Sequence, residues 1–557
     1  MSLIRPNSDA LADARIVFLL IIKWDGIEYR FSSIPISVNK SDGSILSFDG
    51  GLTNDPIWTE RSNLLGVDVE AESIPIEIVF DNFNMARRRM QGHILDFSNA
   101  ELSFLLLRRG DLSGDFDSRI LLFKGKITDP IVGDPNFPPG YASFSISQGQ
   151  DISANPLLSD TSTITKDAFA SARVSSLGKR APFVFGFPGA TLPQGSGAGF
   201  AEGAEFATPA YLASGSTILL IASHVCNSIR VSVEDENGAG ASIATSTTND
   251  ALGNPYTYVD ISATALNTDD GASTQYWVKW FKTNGGGAIN PWGAAYPSPS
   301  AELRGAGDLI RYCLLRVNSE IDWQAWNSAA PFLNSYKFDG YLNENVDSLE
   351  WLSQNIMPFL PCEIRAGPKG LTPLIAMMYA ATLQRPVLEL NTSEDFYISS
   401  GIMPRSEADE LGNWIIFKFG KIGKGNKEAA QLEIDPRAST SGFNEMKFST
   451  VHAEISANRY GLRQKEIICP FVTELSTAAR IASDQARIMG IPLMTIDIDS
   501  AIIFGYLMLG DLIRLTDEKM GLNSHLCQIL GKQYTGSGFR FSLAIEENPV
   551  FSSRAIS

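Results

Sequence analysis

Within residues 466–547 the spacing of apolar side chains switches from the period of a helix to that of a strand, and this switch leaves few folds open. Ala478, Ile481, Ala482 and Met489 share one helical face, while Arg480, Asp484 and Arg487 share the other. Ser476 offers a capping hydroxyl, and Gly490 with Pro492 ends the helix. Beyond it Met494, Ile496 and Ile498 alternate with Thr495, Asp497 and Asp499, as in a strand buried on one side. Residues 512–515 follow the Gly510-Asp511 turn, and 525–534 runs through Gly536-Ser537-Gly538 into 539–545 as a hairpin. Phe539, Phe541, Leu543 and Ile545 then point to one face, which must be covered. The stretch reads as a rigid β scaffold rather than as an active site.

The earlier part of the chain obeys the same grammar. Residues 16–22 form an apolar run that pairs through Asp25-Gly26 with 28–31, and 66–80, 101–107, 119–127 and 141–146 are further strands, as in a barrel or sandwich. Arg87-Arg88-Arg89 falls in a helical turn, read as a solvated face or, more sharply, as a contact with an acidic neighbouring subunit. Between Lys179 and Arg304 the composition shifts to Gly, Ala, Ser, Thr and Asn, with short strands at 216–222, 228–233, 257–261 and 275–281. This is an inserted β-sandwich, and Gly195-Ser196-Gly197-Ala198-Gly199 and Gly285-Gly286-Gly287 at its borders imply mobile connections. Helices are expected over 308–317 and 347–357, the latter ended by Pro358. Between them Trp323, Trp326, Phe332, Tyr336, Phe338 and Tyr341 read as core packing under a loop, with a sugar platform as the alternative. Strands return over 362–448, most clearly at 414–419.

A chain of 557 residues exceeds one core and should hold about three or four domains. With 44% hydrophobic residues it is a folded chain, and its net charge of −17 opposes tight binding of nucleic acid through a basic patch. The five cysteines, Cys226, Cys313, Cys362, Cys469 and Cys527, are widely separated and read as buried free thiols. The apolar run at 16–22 is far short of the roughly 20 residues that span a bilayer, and it lacks a small-residue cleavage site. Synthesis in a cytoplasm without secretion is expected.

Poised chemical groups are scarce. His93, His224, His452 and His525 have no metal-ligand spacing, and there is no Gly-x-Ser-x-Gly elbow, so no catalytic residue, metal site or cofactor is expected. Glu428 stands where a phosphate loop would need a hydroxyl after Lys427, so residues 420–427 read as a hairpin with solvated lysines. Asp497 and Asp499 share a strand face and would suit a glycosidase if a cleft enclosed them; a pair of surface carboxylates is the plainer reading.

The order of parts resembles the tail hub, or baseplate hub, proteins of tailed bacteriophages and gene transfer agents. The residues that carry the resemblance are Arg119-Ile120-Leu121-Leu122-Phe123-Lys124-Gly125-Lys126-Ile127, Gly178-Lys179-Arg180-Ala181-Pro182-Phe183-Val184-Phe185-Gly186, Gly307-Asp308-Leu309-Ile310-Arg311-Tyr312, Ala478-Ala479-Arg480-Ile481-Ala482 and Gly510-Asp511-Leu512-Ile513-Arg514-Leu515. Together they cover most of the chain outside 187–304. The resemblance implies a homotrimer at the distal end of a tail tube in the virion, whose paired barrels give a pseudo-sixfold surface. It implies a distal tail protein or tail tube above, tip or fibre proteins below, and passage of DNA without specific binding.

The expected fold is mainly β with a few short helices: two β-barrel-like hub domains, an α+β segment and an inserted β-sandwich. Its boundaries are 1–180 for the first barrel, 181–304 for the insertion, 305–448 for the α+β segment and 449–557 for the closing helix and barrel portion. The expected function is structural and non-enzymatic. The alternative is a carbohydrate-binding or carbohydrate-cleaving tip protein that stacks a host-surface glycan on Trp277, Trp280 and Trp292.

Overall fold

In the computed structural model the apolar run near the start becomes the strand Ala14–Trp24, covered on both faces. The structure describes residues 14–545 apart from 80–97, 133–140, 148–155, 189–207, 267–274, 282–287, 290–302, 405–410, 422–427, 440–445 and several shorter stretches. Arg87-Arg88-Arg89 and the glycine-rich borders of the insertion therefore lie outside the described residues. The strand pairs with Ile27–Ser32, Leu20 opposite Phe31 and Lys23 opposite Glu28, and Gly26 turns the hairpin at φ +74°. Its other neighbour is Asn99–Arg108. Phe18, Leu20 and Ile22 enter one core; Val17, Leu19 and Ile21 enter a second, beneath the small sheet formed by Ile45–Phe48, Ile36–Asn39 and Ser113–Asp115. A strand covered on both sides reads as a continuous apolar run because no position faces water.

The first sheet runs Ile27–Ser32, Ala14–Trp24, Asn99–Arg108, Ile120–Val132, Tyr141–Ser147, Ser73–Val79. Residues 49–53 bridge its two edges. Ser32 N donates to Asp49 O (2.7 Å) on one side, and on the other Val79 N donates to Gly51 O (2.7 Å) and Thr53 N to Glu77 O (3.0 Å). A Cβ on Gly51 would stand 2.3 Å from the Val79 carbonyl oxygen, so this close approach needs glycine. The edges are thus covered rather than left open to pairing with other chains.

The closing sheet runs Leu388–Asn391, Leu512–Asp517, Leu522–Tyr534, Gly538–Ile545, Met494–Ala501, Phe396–Ile398. Its two edge strands are neighbours in sequence, so the sheet curls back on itself. The expected hairpin is present, with Tyr534 opposite Phe539 and Cys527 opposite Ile545. Thr59–Arg61, from the other end of the chain, pairs with Leu522–Tyr534. The strand pairings therefore cut across the boundary expected at 448/449, because 388–391 and 396–398 belong to this sheet. Phe539, Phe541 and Leu543 are fully buried, and what covers them is the first sheet. Phe18 meets Tyr534 edge-on at 5.3 Å between ring centroids, and Phe104 meets Phe539 at 6.1 Å. The two barrel-like sheets share one core.

Among the described residues the α+β body has five helices: α1 (Ala306–Leu314), α2 (Trp323–Leu333), α3 (Ser348–Asn355), α4 (Val451–Tyr460) and α5 (Leu475–Gly490). They share a core with the sheet Lys447–Phe448, Glu428–Ile434, Trp414–Lys421, Gln464–Cys469. Three helices differ from expectation, α4 because its mixed surface shows no apolar stripe. The aromatic segment is largely α2, capped by Asp322, which accepts from Ala325 N (3.0 Å); Pro331 inside it and its many aromatic residues mask the helical period. Its role in packing holds, since Trp326, Tyr336 and Phe338 are fully buried. In α5 the N-cap is Glu474, without a side-chain cap bond, so Ser476 lies inside the first turn and does not cap. Asp484, on the face opposite Ala478 and Ile481, is buried.

The insertion has a seven-stranded path, Gly240–Ala244, Arg230–Asp235, Tyr276–Phe281, Thr208–Ser214, Ile218–Ala222, Pro255–Asp260, Ser246–Asn249, and a two-stranded sheet of Cys226–Asn227 with Ala288–Ile289. Its two edge strands flank Thr245, so the path wraps a core of its own around Leu219, Val231, Val259, Val278 and Trp280. The mainly β architecture, with barrel-like sheets, an α+β segment and an inserted β-sandwich, is the one observed.

Candidate functional site

The residues singled out by sequence do not assemble into one site. Strand alternation puts Tyr276, Val278 and Trp280 on the inner face of the insertion and Trp277 on the other. Trp280 is fully buried, and its indole N–H donates to Thr208 Oγ1 (2.9 Å). It is a core residue and offers no face to a sugar, whereas Trp277 is half-buried and Trp292 lies outside the described residues. Asp497 and Asp499 share the outer face of Met494–Ala501, each held across the sheet. Ser542 Oγ donates to Asp497 Oδ1 (2.6 Å), and Arg540 forms a two-point contact with Asp499, Nε 2.8 Å and Nη2 3.1 Å. Each carboxylate is engaged by a cross-strand partner, so the surface reading of this pair is the one the geometry favours.

The described cysteines are all buried thiols, and burial pushes Cys226 up to about 12. Among the described residues no group of three His, Cys, Asp or Glu side chains could hold a metal ion, and no helix is long and apolar enough to cross a membrane. Trp414–Lys421 and Glu428–Ile434 pair as the expected hairpin, while 422–427 lies outside the described residues.

The most concentrated polar site is one that sequence reading missed, at the root of the insertion. Asp339, on the segment between Phe338 and the strand Gly340–Leu342, is fully buried. Its Oδ1 accepts from Phe187 N (2.7 Å) and Arg304 Nε (2.7 Å), and its Oδ2 accepts from Arg304 Nη2 (3.0 Å) and from Thr473 Oγ1. Phe187 is where the chain leaves for the insertion, and Arg304 is where it returns. Arg304 also pairs with Glu474 (2.6 Å), and these two carboxylates raise its pKa against the opposing effect of burial. Backbone bonds frame the group: Gly186 N to Leu303 O (2.8 Å), Phe338 N to Arg304 O (2.9 Å) and Asp339 N to Phe471 O (2.7 Å). Gly186 sits at φ +63°, and a Cβ there would stand 2.2 Å from Asp339 Oδ1. In the sequence Asp339 stands between Phe338 and Gly340 and Phe187 between Gly186 and Pro188, with nothing to link the two across the intervening chain.

His224 makes a second tie beside it. Buried within the insertion, it contacts the body strand Phe183–Phe185 through Nε2, 3.1 Å from Val184 N and 2.9 Å from Val184 O. Burial lowers its pKa to about 4. Elsewhere, Asp484 on α5 accepts from the hydroxyls of Tyr336 (2.8 Å) and Tyr379, and burial raises its pKa despite those bonds. Arg480 lies over the Tyr336 ring at 4.3 Å. These groups bind one another, which suits positioning of segments rather than turnover of a substrate.

The sequence matches no protein-family model and no curated protein. Among solved structures the chain is similar to a tail protein from Neisseria meningitidis MC58, at 10% identity over 96% of this chain and 98% of that one, with a TM-score of 0.35. It is similar to the 43 kDa tail protein of prophage MuSo2 from Shewanella oneidensis, at 8% identity over 95% and 97% of the two chains, TM-score 0.35. It is also similar to prophage tail protein gp18 from Listeria monocytogenes EGD-e, at 10% identity over 97% of each chain, TM-score 0.34. TM-scores below 0.5 do not establish a shared fold.

Proposed function

We propose that this chain is a structural hub protein at the distal end of a phage or phage-derived tail. In this reading it forms a homotrimeric, non-enzymatic ring that adapts and closes the hexameric tail tube, mounts tip or fibre proteins and lets DNA pass during ejection. The observation that supports it is the pair of barrel-like sheets in one chain fused over a single core, in the arrangement that the order of sequence motifs leads one to expect. Three copies would supply six barrel-like units. The conversion from threefold to sixfold would then be built into the subunit, because the fused core holds the two sheets at one angle. The net charge of −17 suits passage of DNA, since an attractive lumen would retard it. Asp497 and Asp499, the one carboxylate pair suggested for catalysis, are held in cross-strand contacts.

The test is an electron cryomicroscopy image of the assembled particle. Three copies in a ring at the distal end of the tail support the reading; a position on the capsid or on side fibres rejects it.

A further inference from the structure

We propose that Asp339 is a positioning residue that fixes the direction in which the inserted sandwich leaves the body, so that the insertion is a rigid outrigger and not a swinging arm. The argument does not depend on the tail-hub reading. Apolar packing holds the insertion against the body, since Val184 and Phe187 close its core and Ile164, Phe169 and Ala172 pack on Ala213 and Leu220. The directional contact is made at the two places where the chain crosses into it, since both crossings end on the same carboxylate. The departing segment gives Asp339 the backbone N–H of Phe187, and the returning segment gives it the guanidinium of Arg304 through two donors.

Chemistry makes this contact directional. A guanidinium engaging both carboxylate oxygens defines a plane, and a charge-assisted bond from Phe187 to one of those oxygens fixes rotation within it. Apolar contacts at a hinge would hold two bodies together but let them slide. The carboxylate itself is anchored to the body from two further sides, by Thr473 Oγ1 and by the bond from its own N–H to Phe471 O (2.7 Å). Fully buried, it has no water to take over any lost bond. Whatever surface the insertion carries is therefore presented in one direction.

The test uses the full chain with spin labels on Thr247→Cys in the insertion and Lys519→Cys on the closing sheet; both positions are exposed and all native cysteines are buried. Pulsed electron spin resonance should give one narrow distance distribution with Asp339 intact, and a broadened or split one in Asp339→Asn. In the same variant, amide exchange at Phe187 and Phe338 should accelerate on the order of 100-fold, while Tyr276–Phe281 and Gly538–Ile545 exchange as before. Thr473→Val, which leaves the ion pair in place and is the milder variant should Asp339→Asn not fold, should move both readouts the same way by about a tenth as much. Unchanged distance distributions in both variants would overturn the proposal. So would acceleration of the insertion and closing-sheet strands together with the root, because Asp339 would then hold up the fold rather than aim one part of it.

Discussion

The first sheet meets the closing sheet through aromatic and aliphatic side chains, Phe18 on Tyr534 and Phe104 on Phe539, whereas the insertion meets the body through a smaller apolar cluster around Phe169 and Leu220 and through polar ties at its root, the Asp339 carboxylate and His224. The apolar seam is broad, so its strength is spread over many contacts, each of them replaceable in part by its neighbours. The polar root is narrow, and its strength depends on every donor finding its acceptor. A seam of the first kind fuses two units into one; a root of the second kind keeps a unit distinct yet aimed. This division suits a protein whose barrels must act together while an appended sandwich carries a separate surface.

The contrast breaks most visibly at the seam. Phe539→Ala removes a fully buried ring shared by both sheets, and should cost about 4 kcal/mol in a denaturant titration monitored on either sheet. A loss confined to one sheet would show that the core is not shared. At the root, Arg304→Gln leaves the Asp339 carboxylate buried without its cation and should cost about 3 kcal/mol, with protease cleavage rising first at residues 183–188 and 303–306. Cleavage that begins in the barrels would contradict a local root.

Acid sharpens the same comparison. The folded state holds His224 neutral down to about pH 4, whereas an unfolded chain takes up that proton near its ordinary value of 6.5. Stability from this group is therefore complete above about pH 6.5 and is lost as pH falls towards 4, by up to about 3 kcal/mol. The tie between insertion and body should weaken over that window while the apolar seam does not, and His224→Gln should flatten the dependence as read by amide exchange across residues 182–188. The smallest effect belongs to Trp277, half-buried on the outer face: Trp277→Ala should change stability by less than about 1 kcal/mol. Isothermal titration against host polysaccharide with this variant then tests the glycan role directly, since a binding loss could not be assigned to unfolding.

How much of this was legible in the sequence follows from the range of the interactions. Local periodicity revealed the strand Met494–Ala501 and the hairpin to Gly538–Ile545, because alternation and turn residues lie within a few positions of each other. The same logic failed for α2, where Pro331 and aromatic residues blur the helical stripe, and for α4, whose mixed surface gives it no strong apolar face. The burial of Asp484 cannot be read from its place opposite Ala478 and Ile481, because its partners Tyr336 and Tyr379 are remote in sequence. The root was invisible for a similar reason: Phe187, Arg304, Asp339 and Thr473 are separated by long stretches of chain, and only the folded body brings them to one carboxylate. The glycan candidate Trp280 shows the reverse error. Composition placed an exposed platform there, while strand alternation points this residue inward to the core.

The central claim is that one chain supplies two fused barrel-like units and that three chains close the ring. Light scattering of the purified full-length protein, coupled to size exclusion, tests it most directly. The account predicts a single species of three times the 60.6 kDa chain mass, persisting on dilution. A species at the mass of one chain, across the same concentrations, would contradict it.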